Sequence, residues 1–141
     1  MRPLILDLEV ENHPHLGAIA SPRHPMNYVV APGWAYGNGP VQHAYYSSKE
    51  ESRDWLPSLD EVDVIVAHNA KFELDWLLHD HWDKMVPFLA RGGRIFCTAY
   101  AEYLLSNQQQ LYPALDDVAP KYGGTRKIDE VKLLWEQGYK T

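Results

Sequence analysis

Two acidic side chains, Asp7 and Glu9, stand one residue apart at the end of the apolar run Pro3-Leu4-Ile5-Leu6. If that run is a β-strand, alternation turns both carboxylates to one face and sends Leu8 to the other. Like charges held side by side repel each other, and a divalent cation between them removes the repulsion. Asp-x-Glu at a strand end is therefore an arrangement that can hold Mg²⁺ or Mn²⁺. It is also what a strand running into a polar loop looks like, since Glu11 and Asn12 follow. Taken alone, the pair favours that plainer reading.

A second polar cluster changes the balance. Val66-Ala67-His68-Asn69-Ala70-Lys71-Phe72-Glu73 carries an apolar strand into the first turn of a helix. In open α/β sheets that carboxyl edge is where ligands bind. If this strand lies beside the first, Glu73 can face Asp7 and Glu9, and three converging carboxylates make a metal site. Asp75 is the other acid of the helix, about 200° further round than Glu73, and reads more simply as a solvated side chain. Asn69 can serve as a helix cap. Phe72 reads as core and His68 as a hydrogen-bonded histidine at the strand end.

The elements that must position these groups are legible in outline. The first third is β-rich, with strands over 4–10, 27–36 and 41–46, and with turn chemistry at Pro32-Gly33 and from Gly37 to Pro40. Residues 12–25, with Pro14, Gly17, Pro22 and three histidines, read as an irregular loop beside the end of the first strand. Ser48 is a candidate N-cap for a short helix that turns Trp55 and Leu56 inward. Asp63 to Ala67 suits a strand buried on both faces, and Phe72, Trp76 and Leu77 form the apolar stripe of the next helix. Gly92-Gly93 ends a further helical stretch, Arg94 to Cys97 is a fifth strand, and helices follow over 99–105, 115–122 and 128–137. Strands first, then strands alternating with helices, predict a single-domain α/β fold: a mixed five-stranded sheet with helices packed on it.

Composition narrows the function classes. The net charge of -6 argues against a protein that grips nucleic acid through a broad basic surface, but a metal nuclease gathers acids in its site and is compatible with it. One cysteine, Cys97, excludes an internal disulfide framework and a zinc knuckle, and reads as a small core residue. No apolar run reaches the ~18 residues of a membrane span, so no membrane partner and a cytoplasmic location are expected.

Asp7-Leu8-Glu9 and Asn69-Ala70-Lys71-Phe72-Glu73 resemble the first two motifs of the DnaQ-like (DEDD) 3′-to-5′ exonucleases, specifically the proofreading domain of phage and bacterial family A DNA polymerases. The resemblance extends through Tyr28 to Trp34, Ala101 to Leu105 and Leu115 to Gly123. It implies a ribonuclease H-like fold and a two-metal site, Mg²⁺ or Mn²⁺, held by Asp7, Glu9 and Glu73, with the metals about 4 Å apart. Asp7 would bridge both metals and Glu9 would bind the one that carries the attacking water. Leu8, Asn69 and Phe72 would contact the 3′ end of single-stranded DNA, and the polymerase domain of a parent protein is the implied partner. Glu73 stands where the family usually has Asp, so its coordination is expected to differ.

The family also requires a fourth acid and a Tyr or His base from a late helix. Lys127 to Val131 and Trp135 to Gly138 resemble the segment leading to that helix, and Thr141 is the last residue. The expectation is a domain truncated before the third motif, weakly active or inactive, with apolar sheet surface exposed and self-association favoured. Tyr112-Pro113-Ala114-Leu115-Asp116 matches the bare Tyr-x-x-x-Asp spacing, but Pro113 suits the start of a helix. Two other readings remain: a non-catalytic relic or binding module, and an exoribonuclease of ribonuclease H-like fold.

Overall fold

The computed structural model describes residues 1–126, 133 and 136–138. The chain forms two units, Met1–Thr98 and Ala99–Thr141. In the first, β1 (Pro3–Val10) is the centre of a five-stranded sheet completed by β2 (Val29–Tyr36), β3 (Gln42–His43), β4 (Val64–Ala67) and β5 (Arg94–Cys97). The spatial order is β3-β2-β1-β4-β5, with β1 antiparallel to β2 and parallel to β4. The mixed five-stranded sheet is thus as expected, and its order is compatible with a ribonuclease H-like fold.

Alternation decides which face of β1 is core. Leu4, Leu6 and Leu8 are buried, whereas Ile5, Asp7 and Glu9 face the other way. The buried face meets α1 (Ala70–Asp80) and α2 (Trp82–Ala90), whose Trp76, Leu77, Met85 and Phe88 join Trp55, Val29 and Ile65 in one cluster. Hydrophobic burial of this size is the main favourable term in folding. On the opposite face the register aligns Ile5 with Val66 and Val66 with Phe96, and Ile5 and Phe96 are 44% and 49% exposed.

Two local expectations change. Pro32-Gly33 makes no turn, because β2 runs through it in register with Leu8 and Asp7. The Pro32 carbonyl accepts the Ala44 N–H at 3.2 Å, so the missing donor of Pro32 faces the short β3 rather than β1. The third strand pairs over Gln42–His43 alone, continued by single bonds such as Tyr46 N–H to Val30 O at 2.8 Å. Ser48 starts a 3₁₀ turn, Glu51–Asp54, by accepting the Glu51 N–H on its hydroxyl at 3.3 Å. Trp55 and Leu56 behind it are buried as expected.

The turn from α2 into β5 is tightly packed. A Cβ on Gly93 would lie 2.5 Å from both the Phe88 ring and the Phe88 carbonyl oxygen, whereas one on Gly92, at φ +94°, meets nothing within 4 Å. Gly93→Ala is expected to cost about 2–3 kcal/mol by overpacking, against ~1 kcal/mol of backbone strain for Gly92→Ala. Urea unfolding midpoints check the order; equal midpoints would refute the packing account.

In the second unit, α3 (Thr98–Leu105) and α4 (Leu115–Val118) are followed by a 3₁₀ turn, Ala119–Tyr122, that ends at Gly123 with φ +83°. Buried Glu102 accepts Lys121 Nζ at 2.6 Å and the Tyr122 hydroxyl at 2.8 Å, which holds its carboxyl below the usual range. Asp116 and Asp117 occupy the first turn of α4, where the helix dipole favours acids. Pro113 stands just before the N-cap Ala114, outside the first turn expected for it. The expected helix over 128–137 and the segment from Lys127 to Val131 fall largely outside the described residues. No helix among the described residues is long and apolar enough to cross a membrane.

Candidate functional site

Asp7 and Glu9 lie at the carboxyl end of β1, on the face away from the core. Their cross-strand partners on β2 are Gly33 and Ala31. Small residues therefore flank both carboxylates, and even a Cβ on Gly33 would come no closer than 4.0 Å to the Asp7 backbone. This accommodation went unrecognised in the sequence, although the spacing Ala31, Gly33, Ala35 was its signal.

Glu73 sits in the first turn of α1 and is only 4% exposed. Its Oε2 is buried without a hydrogen-bond partner. Burial pushes this carboxyl up to about 7; its own backbone N–H opposes the shift, and the charge of Asp7 adds to it. Asp7 and Glu73 therefore act on each other electrostatically. An orphaned buried carboxylate oxygen that feels the charge of a second carboxylate is chemistry that a divalent cation satisfies. Among the described residues, however, no group of three His, Cys, Asp or Glu side chains is arranged to hold a metal ion.

Asp75 is engaged elsewhere. Both its oxygens accept the Arg23 guanidinium at 2.8 Å, which holds the carboxyl below its usual range. Its partner lies 52 residues away in sequence, so no local pattern announces it.

Asn69 occupies the N-cap position of α1 in a left-handed conformation, φ 63° and ψ 48°, and its side chain makes no capping bond. Its carbonyl accepts the Phe72 N–H at 2.9 Å. The expected side-chain cap is absent because the sharp turn out of β4 is made by the backbone, in a region that Asn tolerates better than most residues. Phe72 packs half-buried against the core. Asn69 and Phe72 both line a cleft of about 510 Å³ between α1 and the segment from Ala18 to Arg23. Leu8 lies on the opposite face of β1 in the core, 6% exposed, which leaves almost none of its side chain for the substrate contact the resemblance assigns it. Strand alternation is the reason.

His68 Nδ1 lies 2.9 Å from the Thr98 hydroxyl, as suits a hydrogen-bonded strand-end histidine. Cys97 is partly buried, and its sulfur accepts the Ala70 N–H at 3.4 Å, joining β5 to the start of α1. Asn27, unnoticed in the sequence, is 1% exposed and organises the loop beside the cleft. Its oxygen accepts the His13 N–H at 2.9 Å, and its amide donates to His13 O at 2.9 Å and Ser21 O at 2.8 Å.

No family model and no curated protein sequence matches this chain. Among solved structures, the family B DNA polymerase from the hyperthermophilic archaeon Pyrobaculum calidifontis is similar over 56% of this chain, at 20% identity and a TM-score of 0.38. The similar region is 10% of that polymerase chain. A likeness of that degree carries no argument about activity, so the functional reading rests on the site itself.

Proposed function

We propose that this chain is a metal-dependent 3′-to-5′ exonuclease domain of the proofreading type, similar to those of family A DNA polymerases, that removes nucleotides from the 3′ end of single-stranded DNA. The observation that carries the reading is Glu73, a buried carboxylate with an unpartnered oxygen, its pKa raised by burial and then by Asp7. Asp7, Glu9 and Glu73 would hold Mg²⁺ or Mn²⁺, which supplies charge neutralisation at the phosphate and lowers the pKa of water. The chain's own contribution is orientation. Asn69, its carboxamide free of capping, and Phe72, on the wall of the cleft, are suited to fix the terminal nucleotide.

The test is shortening of a labelled single strand in Mn²⁺ by the wild type and by Asp7→Ala. Loss of a catalytic group of this kind costs several powers of ten in rate, so about a 10³-fold drop is expected. Unchanged degradation by Asp7→Ala would sink the proposal. Mn²⁺ binding that depends on Asp7 without any degradation would identify a binding module, and cleavage of RNA alone would identify an exoribonuclease.

A further inference from the structure

The chain is acidic overall, yet one loop gathers three histidines and meets a lysine. Between β1 and β2 the rings of His13 and His24 stack, with centroids 5.1 Å apart and planes 19° apart, and His15 meets His24 edge-on at 6.3 Å. Lys49 reaches the same loop and donates to Pro25 O at 3.0 Å. The charged neighbours acting on His24 are His13, His15 and Lys49; desolvation first, then those three, hold its imidazole below the usual range. Glu11 lies 4.0 Å from His13 Nε2, and Arg23 is committed to Asp75. His24 Nδ1 accepts the Met26 N–H at 3.2 Å, so the neutral ring carries its proton on Nε2.

This loop is continuous with the cleft. Ala18, Ile19, Ala20, Ser21 and Arg23 form one wall, facing Asn69 and Phe72 on the other. Asn27 clamps the loop backbone at His13 and Ser21, so the imidazoles stand on a held framework. We propose that the His13, His15 and His24 cluster, with Lys49, is a docking surface for the phosphate backbone of the single strand whose 3′ end enters the cleft. The identity of the strand rests on the exonuclease reading above. Imidazolium N–H groups and an ammonium are donors for phosphate oxygens. A stacked ring pair adds a π-face for a base. An anion is also what relieves mutual repulsion among these groups when they protonate.

The consequence is binding that strengthens with acid. Fluorescence anisotropy of a labelled oligothymidylate, in EDTA and in a Glu73→Gln background so that the buried carboxyl does not titrate, is expected to give about tenfold tighter binding at pH 5 than at pH 8, with a steeper salt dependence at the lower pH. In the same background, the triple variant His13→Gln, His15→Gln, His24→Gln should bind equally at both pH values; an undiminished pH dependence in it overturns the proposal. A second readout needs no variant: the imidazole resonances of the three histidines in the wild type should shift when oligothymidylate is added, and unmoved resonances overturn it too. The two readings separate cleanly. Histidine-dependent binding in a protein with no Mn²⁺-dependent degradation keeps this surface and discards the exonuclease. Asp7-dependent degradation with silent imidazoles does the reverse.

Discussion

Glu73→Gln is expected to stabilise the protein above neutral pH while removing its response to divalent cations. The buried Glu73 carboxyl is raised to about 7 from an ordinary value of 4.5, chiefly by burial and then by Asp7. Between those two values the folded protein keeps a proton that the unfolded chain releases. Stability in EDTA therefore falls as pH rises through that window, and the whole penalty is present above it. A shift of this size corresponds to at most about 3 kcal/mol. Gln keeps the shape without the charge but leaves a buried polar group, so the net gain at pH 8 should be about 1–2 kcal/mol. Its profile between pH 4.5 and 7 should lack the fall that Glu73 contributes.

The same substitution bears on function. In the wild type, Mn²⁺ at pH 7.5 should raise the Tm and release a proton, because a cation favours the charged carboxylate. Glu73→Gln should lose most of that rise. Urea titrations across pH and thermal melts with and without Mn²⁺ measure both effects. A variant less stable than wild type at pH 8, with an unchanged pH slope, would show that Glu73 titrates as an ordinary surface acid.

The second large effect is expected at Asn27. Its amide meets three backbone groups: His13 N–H, His13 O and Ser21 O, the last of which also accepts the His24 N–H at 3.2 Å. Asn27→Ala would strand both His13 groups and is expected to cost about 2 kcal/mol. That is a large share of the ~5–15 kcal/mol that holds a domain together. Asn27→Asp is the sharper test. It keeps the shape and the acceptor for His13 N–H, but sets a carboxylate oxygen against two carbonyl oxygens. At neutral pH it should be as destabilising as Ala, and the deficit should shrink as the acid protonates. Hydrogen exchange at the His13 amide reads the loop directly: protection retained in Asn27→Ala would show that the clamp contributes nothing. Loss of the clamp also removes one anchor, at Ser21 O, of the cleft wall opposite Asn69 and Phe72, which the Arg23–Asp75 pair still ties to α1.

Local patterns were enough for the scaffold. The alternation of Leu4, Leu6 and Leu8 with Ile5, Asp7 and Glu9 determined a strand, its buried face and the shared face of the two acids. The stripe of Trp76 and Leu77 determined α1, and Gly92-Gly93 its neighbour's end. These signals are legible because side-chain periodicity is a property of the backbone that carries it. Where a long-range partner outweighed local preference, the sequence misled. Pro32-Gly33 carries turn chemistry, but pairing with β1 on one side and a short edge strand on the other draws it into β2.

The functional chemistry needed the tertiary structure. Asp75 reads as a solvated side chain until Arg23, from a distant loop, closes on it. Asn69 reads as a side-chain cap until the turn out of β4 puts its backbone in the left-handed region. Glu73 is one carboxylate among many until burial and Asp7 change its protonation. The sequence by itself determined which residues stand on which face of which element. Only the tertiary structure decided which of them are charged, paired or left wanting a partner, because desolvation and Coulomb interaction depend on neighbours that chain order does not specify.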